Sequence, residues 1–567
     1  MANFFTDNQD IQYYLNDLRL RRIIELREKG YTENKTYPFA PENFEDALDN
    51  CHRVLTIVGE ISAETIAPAA CDVDREGCRL ENNEVSYARG TQEALKRFTQ
   101  AELMGFTLPR KYGGLNFPLT VYMMAIEIVS RADASFMNLF GLQEIAETIR
   151  EFAGPALKNK YLPKMASGKY TGAMVLTEPE AGSDLQAISL KATYNQKEEC
   201  WFLNGVKHFI SNGCGDVLLV LARSEENTHG GRGLSLFLYE KDENLIVRRI
   251  EDKLGIHGSP TCELQFKNCR ATLIGQRKRG LSRYVMPLMN GARLGIGAQS
   301  IGIAQEAYNQ SLQYAKQRKQ FGKAIIEFPP ILEMLTTMKV QIEAARSLLY
   351  ETSILVDIQH VLSHQEIKDK ETANELKEVK RFANLLAPMI KYYASEMCNR
   401  ITYDAIQIFG GAGYMRDYDV ERLYRDARIT TIYEGTSQLQ VIGAVGGITS
   451  GLFFKVLENK LRKSYPESFN PLIEKIKGCE KLLKKAVIFV KARNDPAYTE
   501  YHARGLVDMA TEILMAVLLL EHSRKSDRKF NLTERFVTDT FHRVQMLAGK
   551  ITCDDENLIN KYRPLLD

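Results

Sequence analysis

The stretch Leu176-Thr177-Glu178-Pro179-Glu180-Ala181-Gly182-Ser183-Asp184 stands where this 567-residue sequence changes from helical to β-rich patterning. A strand that runs into a turn with proline, glycine and hydroxyl residues exposes backbone N–H groups and side-chain donors toward one point. Such a turn suits the polar edge of a ring or a phosphate group. An ordinary capped turn explains the same residues equally well, so the stretch alone leaves both interpretations open.

The sequence on the C-terminal side of this stretch predicts a β domain. Short β-rich runs are separated by turn residues such as Asn204-Gly205 and Gly230-Gly231. The expected strands cover residues 172–177, 189–194, 201–210, 217–222, 234–239, 245–250 and 263–266. We expect a compact antiparallel sandwich or barrel over residues 171–278.

Helical spacing of apolar residues flanks the β domain on both sides. It predicts an N-terminal helical domain over 41–170, a helical bundle over 279–447 and a further helical domain over 448–567, with an N-terminal extension over 1–40. A charged segment, 364–380, has almost no core-facing apolar residues and is expected to be a solvated loop or an exposed helix end. The predicted fold class is mainly α with a central β domain.

Bulk properties argue against several classes of function. Lys and Arg total 74 against 72 for Asp and Glu, so no net field attracts nucleic acid. Ten cysteines occur without a CxxC pair or a histidine cluster at ligand spacing, so we expect free thiols, no disulfide framework and no metal site. No apolar run reaches the roughly 18 residues that cross a bilayer, and the N-terminus lacks the basic start of a signal peptide. We expect a cytoplasmic protein without an integral membrane segment.

Two more motifs are candidates for chemistry. The glycines of Gln407-Ile408-Phe409-Gly410-Gly411-Ala412-Gly413-Tyr414 allow a ligand to approach the backbone, although a helix C-cap and a loop explain them just as well. In Ile432-Tyr433-Glu434-Gly435-Thr436-Ser437-Gln438 a carboxylate stands between an aromatic residue and a glycine. Burial in an apolar pocket would raise the pKa of Glu434 toward that of a general base, whereas a structural glutamate near a helix start is the alternative.

These three stretches, in this order and together with Tyr314-Ala315-Lys316-Gln317-Arg318-Lys319-Gln320-Phe321-Gly322-Lys323, make the chain resemble the acyl-CoA dehydrogenase family. The resemblance covers roughly residues 40–445. It implies a helical domain, a β-barrel domain and a four-helix bundle, in the order expected from periodicity. The added C-terminal helical domain is similar to that of the larger bacterial members, including those that resemble methylthiopropionyl-CoA dehydrogenase.

The same resemblance implies FAD as the cofactor, extended between the β domain and the bundle. The residues expected to line the flavin are Met174, Leu176, Thr177, Gly182, Ser183, Phe209 and Ser211. Those expected to contact the FAD of a neighbouring subunit are Arg318, Phe321, Gln407, Gly410 and Gly411, and Thr436 and Gln438 would reach its adenosine and pyrophosphate portion. Met174 and Phe209 depart from the family pattern, which usually has Tyr or Phe and Trp there, so we expect the flavin face to be packed differently.

For the substrate, an acyl-CoA thioester, the resemblance implies contacts from Ser183, Met289, Asn290, Arg293 and Gly435. Some relatives carry the catalytic glutamate directly before the arginine of this set, where this chain has Ala292, which leaves Glu434 as the matching base. The implied reaction removes the α proton through Glu434 and the β hydrogen as hydride, giving a trans-2-enoyl-CoA.

The resemblance further implies electron transfer to an electron-transfer flavoprotein and a homodimeric assembly, because the extra C-terminal helices of large members cover the surface that smaller relatives use to form tetramers. One rival function is an acyl-CoA oxidase that passes electrons to oxygen. Another is a non-catalytic protein that binds acyl-CoA or flavin. Glu434 argues against the second, because a degenerate scaffold needs no base there.

Overall fold

The computed structural model describes residues 2–365, 369–524, 526–553 and 561–566. Its elements confirm the fold class predicted from the sequence, helical with a central β domain. The chain divides into two compact units, one of Met1–Ile342 with Leu349–Ser437 and one of Glu343–Leu348 with Gln438–Asp567. The domain boundaries expected from the sequence remain predictions.

The N-terminal part of the first unit is helical up to residue 166. Its α-helices are α1 Gln9–Leu15, α2 Leu18–Arg27, α3 Phe44–Ile61, α4 Ala67–Glu76, α5 Arg89–Gln100, α6 Leu119–Ala132, α7 Ala134–Leu142, α8 Ile145–Phe152 and α9 Pro155–Ala166. A short hairpin, β1 Arg79–Glu81 with β2 Glu84–Ser86, lies between α4 and α5. Helix α6 is apolar nearly all round and almost completely buried, as expected of a helix with neighbours on every side.

A seven-stranded sheet forms the central domain. Its strands are β3 Gly172–Val175, β4 Lys191–Asn195, β5 Cys200–Ser211, β6 Val217–Arg223, β7 Leu234–Glu240, β8 Leu245–Ile250 and β9 Thr261–Ile274. The expectation of a wholly antiparallel domain was wrong, because β6 pairs in parallel with β3 and, through one residue pair, with β4. A parallel pair needs a long crossover, and the chain between β3 and β6 supplies it.

Strand β6 shows how this sheet is held between two apolar cores. Because side chains alternate along a strand, Leu219 packs with Ile149 and Leu162 in one cluster. The next residue, Val220, points the opposite way and packs with Trp201. Burial on both faces explains why this strand is apolar at nearly every position.

The bundle follows the sheet. Its helices are α10 Met286–Gln317, α11 Pro329–Ser363, α12 Lys370–Phe409 and α13 Val420–Arg428, with a two-residue hairpin, β10 Lys319–Gln320 and β11 Lys323–Ala324, after α10. Helix α10 packs against both α12 and α6, which joins the bundle to the N-terminal helices. Within the charged segment 364–380, residues 366–368 lie outside the described residues, and the part from Lys370 onward is the mostly exposed start of α12.

The second unit is helical. Its helices are α14 Ser437–Thr449, of which Ser437 belongs to the first unit, α15 Leu452–Leu461, α16 Asn470–Arg493, α17 Pro496–Ser523 and α18 Asp527–Ile551. The apolar run 513–520 is fully buried in α17. The Glu343 carboxylate accepts hydrogen bonds from Lys529 and from Arg528, the latter at 2.7 Å, which neutralises a buried charge within this unit.

One helical segment among the described residues, Phe44–Glu76, is long and apolar enough to cross a membrane by length and composition, with a mean hydropathy of 1.3 over its most apolar window. Helices α14 and α15 are bent by 72° relative to each other, and they meet the same criterion only if the pair is counted as a single span. Val54, Leu55 and Val58 of the first segment are buried, and α3 packs on α6. We therefore interpret the segment as a core helix.

The close approach of α10 to α6 gives a test of this packing. A Cβ atom on Gly302 would lie 2.8 Å from the Arg131 backbone nitrogen and closer still to the Glu127 carbonyl oxygen. Since backbone cannot move aside cheaply, we expect Gly302→Ala to lower the free energy of unfolding by about 1–3 kcal/mol despite the better helix propensity of alanine. Chemical denaturation measures this change.

The matched control is Gly295→Ala on the same helix. Its new methyl group would meet only the end of the flexible Met137 side chain, at 3.5 Å. We expect this variant to be at least as stable as the wild type, because alanine favours the helix. Equal stability of the two variants would contradict the packing of α10 on α6.

Candidate functional site

Glu434 lies on the wall of a cavity within the first unit. The N-terminal helices, the sheet and α10 all contribute to its wall, so three parts of the fold meet there. Its lining residues are Tyr122, Met123, Ile126, Met137, Asn138, Gly141, Leu142, Glu144, Ile145, Met174, Ser211, Leu288, Ala292, Gly295, Ile296, Tyr433 and Glu434. Most of these side chains are apolar, so the cavity is suited to a hydrocarbon chain beside a carboxylate.

The backbone at Glu434 is in the left-handed region, with φ of 54°, and Gly435 follows with φ of 88°. A non-glycine residue in this region is uncommon and is held there by its surroundings. Lys391, fully buried on α12, donates a hydrogen bond from Nζ to the Gly435 carbonyl oxygen at 2.7 Å. This contact ties the turn that carries Glu434 to the bundle.

The charge on Glu434 is set by opposing effects. Burial raises the pKa of its carboxyl group, and the positive charges of Lys391 and Arg293 act against that rise. Burial also lowers the pKa of Lys391, to about 7, and lowers the pKa of Arg293. A carboxylate with a raised pKa beside two cations has the properties of a general base.

Glu144 is a second carboxyl group on the cavity wall. It stands between α7 and α8, and its carboxyl group lies against Gly291 of α10, where the absence of a side chain leaves room for it. Burial, followed by the negative charges of Glu147 and Glu434, raises the pKa of Glu144 to about 8. At neutral pH Glu144 is therefore mostly protonated, whereas nearby cations favour the ionised form of Glu434 alone.

A buried ion pair fixes the turn of residues 176–184, which follows β3. Lys207 of β5 is fully buried, and its Nζ lies 3.0 Å from the Glu178 carboxylate and donates to the Leu176 carbonyl oxygen at 2.6 Å. Glu178 also accepts from the backbone N–H groups of Ser189 and Leu190. These contacts hold the turn in place on one side, and its opposite side is available to a ligand.

The residues predicted to line a flavin fall into two groups on this side of the sheet. Met174 and Ser211 are part of the cavity wall beside Glu434, and Leu176 and Thr177 follow the end of β3, the strand of Met174. Gly182 and Ser183 are exposed, with nothing near the position of a Gly182 Cβ atom. Phe209, 57% exposed, has a φ of 60° and stacks on His208.

A separate exposed surface carries the residues predicted to contact the FAD of a neighbouring subunit. Tyr314 and Phe409 stack with ring centroids 4.1 Å apart, so the C-terminal ends of α10 and α12 meet. Arg318 and Phe321 follow the first of these ends, and the remaining members, Gln407, Gly410 and Gly411, lie at the second. All five are exposed, and none of them lines the cavity with Glu434.

The other predicted site residues have mixed positions. Thr436 follows Gly435 and is partly buried, whereas Gln438 lies in the first turn of α14 and belongs to the second unit. On α10, the cavity is lined by Leu288 and Ala292 rather than by the predicted Met289, Asn290 and Arg293. Asn290 instead accepts a hydrogen bond from Arg293 at 2.9 Å.

One group of possible metal ligands occurs among the described residues. His208, Glu251 and Glu263 have ligand atoms within 4.8 Å of one another. The Arg249 guanidinium lies 3.2 Å from Glu251 and 2.9 Å from Glu263, so the carboxylates already have a cationic partner. We interpret the group as an ion-pair cluster. All ten cysteines are free thiols, as expected.

Sequence reasoning missed Lys391, Glu144 and Asn138. A single lysine within the apolar run 385–394 was a visible sign of a buried cation that needs a partner. Glu144 and Asn138 gave no such sign, because a glutamate at the start of a helix and an asparagine within one are usually exposed. Only the folded chain shows that both face the cavity.

Models of the acyl-CoA dehydrogenase family match nearly the whole chain. The N-terminal domain model matches residues 52–169, the middle domain model residues 173–269, and the C-terminal domain model residues 279–444. A fourth model, described as acyl-CoA dehydrogenase C terminal, matches residues 449–539. The match therefore extends beyond the three domains around the cavity.

The chain is similar to proteins of known name. It is 38% identical over 355 residues to an acyl-CoA dehydrogenase of Bacillus subtilis, covering 61% of this chain and 87% of that protein. It is 34% identical over 425 residues to 3-methylmercaptopropionyl-CoA dehydrogenase of Ruegeria pomeroyi, covering 70% of each. The fold also matches the crystal structure of an acyl-CoA dehydrogenase complexed with FAD from Bacillus anthracis, with a TM-score of 0.77, 24% identity, and coverage of 91% of this chain and 90% of that one. The chain therefore belongs to the acyl-CoA dehydrogenase family of oxidoreductases.

Proposed function

We propose that this enzyme catalyses the FAD-dependent α,β-dehydrogenation of an acyl-CoA thioester to a trans-2-enoyl-CoA, with Glu434 as the base. The observation that supports this best is Glu434 on the wall of an apolar cavity that also includes Met174 and Ser211 of the sheet. A base beside a hydrocarbon-sized space, next to strands expected to face a flavin, is the arrangement that the reaction needs.

FAD is the cofactor of this family, and the residues present fit it. No atom of the described residues lies within 4 Å of the positions that Cβ atoms of Gly182, Gly410 and Gly411 would take, so a ligand can approach the backbone closely at each. Phe209 offers an exposed aromatic face, and Met174 and Ser211 offer an apolar and a hydroxyl contact at the cavity. We infer that these residues, with Leu176, Thr177 and Ser183, hold the flavin end.

The chain's own residues have defined roles in this mechanism. Bound FAD supplies the acceptor for the hydride that leaves the substrate β carbon. Glu434 takes the proton from the α carbon, and its own backbone N–H donates to the thioester carbonyl, where negative charge develops. Lys391 positions the base by holding Gly435. The apolar walls exclude water, which preserves the raised pKa of Glu434.

We assign the role of base to Glu434 rather than to Glu144 because of their charges. Glu144 has a pKa of about 8 and is mostly protonated near pH 7, so it has little capacity to accept a proton. Lys391 and Arg293 favour the ionised form of Glu434. The family motif also matches Glu434.

We further propose a homodimer in which Arg318, Phe321, Gln407, Gly410 and Gly411 contact the FAD of the other subunit. Phe321 is 93% exposed, and a large apolar side chain with this exposure favours contact with another molecule. For Thr436 and Gln438 we propose contacts with the adenosine and pyrophosphate portion. For the CoA moiety we propose Ser183, Met289, Asn290, Arg293 and Gly435.

Electrons would pass to an electron-transfer flavoprotein in the cytoplasm. Slow reoxidation of the reduced enzyme in air would distinguish this enzyme from an oxidase.

One prediction of this mechanism concerns Glu434. Anaerobic addition of an acyl-CoA to the FAD-loaded enzyme should bleach the oxidised flavin band, and Glu434→Gln should slow this bleaching by at least about a thousandfold, because an amide cannot accept the α proton. Stopped-flow absorbance measures the rate.

Glu144→Gln is the matched control, since it changes the other carboxyl group of the same cavity. It should retain bleaching within about tenfold of the wild type. Loss of bleaching in Glu144→Gln with retention in Glu434→Gln would move the base to Glu144. A wild-type protein that binds FAD but is not reduced by any acyl-CoA would favour the non-catalytic alternative.

Another prediction of this mechanism concerns the pH dependence. The rate of flavin reduction should fall as the pH drops through the raised pKa of Glu434, because only the carboxylate accepts a proton. Lys391→Met removes a positive charge that lowers this pKa, so the pH of half-maximal rate should move upward, by roughly one unit. Single-turnover rates across a pH series measure the shift.

Lys380→Met, an exposed position on the same helix, serves as the control and should leave the pH profile unchanged. A rate reduced equally at every pH in Lys391→Met would show that this lysine only positions the turn. A downward shift would contradict the charge balance described for Glu434.

A further inference from the structure

Asn138 introduces a polar group into the otherwise apolar part of the cavity. It lies on α7, lines the cavity and is 6% exposed. Among the described residues, none accepts a hydrogen bond from its amide nitrogen, Nδ2. Buried amide groups almost always have a partner, so a donor left open on the wall of a ligand cavity points to a group that the ligand brings.

Neighbouring hydrogen bonds fix which way this amide faces. Gln299 of α10 donates from Nε2 both to the Ala134 carbonyl oxygen, at 3.0 Å, and to Asn138 Oδ1, at 3.2 Å. The Ala134 carbonyl oxygen can only accept, so it assigns the two ends of the Gln299 amide, and the Tyr433 hydroxyl donates to Gln299 Oε1. Asn138 Oδ1 must therefore face Gln299, and the Nδ2 group points away from this network.

Within the part of the chain that the structure describes, no acceptor lies within hydrogen-bonding reach of Asn138 Nδ2. Met123, Ile126 and Met137 are apolar neighbours on the cavity wall, and the Tyr122 hydroxyl donates to the Phe140 carbonyl oxygen at 3.0 Å. A purely alkyl substrate would leave the Asn138 N–H groups desolvated and without a partner, which weakens its binding. A substrate with an acceptor at that point would satisfy them.

The charge of the cavity restricts this acceptor to a neutral group. The ionised Glu434 lines the cavity, and no lysine or arginine is among its lining residues. A carboxylate at the end of an acyl chain would meet like charge and lose its hydration without gaining a cation. A hydroxyl, carbonyl or ether oxygen carries no such penalty.

We propose that Asn138 determines specificity by donating a hydrogen bond to a neutral oxygen in the acyl chain, so that the substrate is an oxygen-substituted acyl-CoA rather than a plain alkyl or dicarboxylic one. This inference rests on the proposed dehydrogenation of an acyl-CoA at the same cavity. Asn138 acts on the chain beyond the reacting carbons and takes no part in proton or hydride transfer.

The test moves one oxygen along the chain. Octanoyl-CoA is compared with analogues in which an ether oxygen replaces the methylene at C4, C5, C6 or C7, and with the dicarboxylic suberyl-CoA, by anaerobic flavin reduction in the wild type. One oxygen position should give a kcat/KM about tenfold above octanoyl-CoA, the size expected when a buried donor gains its partner. Suberyl-CoA should be the poorest substrate. No preference for any oxygen position, as would follow if water satisfies the amide, overturns the proposal.

The variant Asn138→Leu identifies the residue responsible. It should lose the preference for the favoured ether and raise kcat/KM for octanoyl-CoA, with the change mainly in KM, while the pH profile of flavin reduction stays as in the wild type. Retention of the ether preference in this variant would overturn the proposal. Asn138→Ala is read in the same way if the leucine variant does not bind FAD. Absence of flavin reduction by every acyl-CoA in the wild type would instead refute the proposed dehydrogenation itself.

Discussion

The ionisation of Glu434 inside an apolar cavity is the constraint on which the site depends. Burial alone would protonate this carboxyl group, and full exposure would make it too weak a base for an α proton. Lys391 and Arg293 oppose the effect of burial, and Lys391 also holds the turn through Gly435. The long helices α10 and α12 each place one of these two cations near Glu434, and both helices therefore contribute to its ionisation.

A buried charge pair fixes the part of the sheet that borders the cavity. Lys207 and Glu178 lock the turn after β3, so that Met174 reaches the cavity while Gly182 and Ser183 stay exposed. Removing one partner of such a pair leaves an uncompensated buried charge, which is strongly destabilising. The same ion pair therefore stabilises the sheet and fixes the surface offered to the cofactor.

Much of the fold could be predicted from the sequence because its signals are local. Strand β6 was expected over residues 217–222, close to its observed bounds, since apolar patterning and flanking turn residues mark it. The parallel pairing of β3 with β6 was not expected, because it depends on a crossover that strand patterns do not encode. Glu434 was found through its motif. Asn138 and Glu144 could not be predicted as site residues from the sequence. Their positions at the cavity depend on contacts with Gln299 and Gly291, which are more than a hundred residues away along the chain.

The most direct test of this account is a crystal structure of the FAD-loaded enzyme with a bound, unreactive acyl-CoA thioether analogue. We expect the acyl chain to occupy the cavity lined by Ala292 and Met174, with a Glu434 carboxylate oxygen within about 3.5 Å of the carbon that corresponds to the substrate α carbon. An acyl chain bound outside this cavity, or an α carbon nearer to Glu144 than to Glu434, would contradict the central claim that the buried Glu434 is the base.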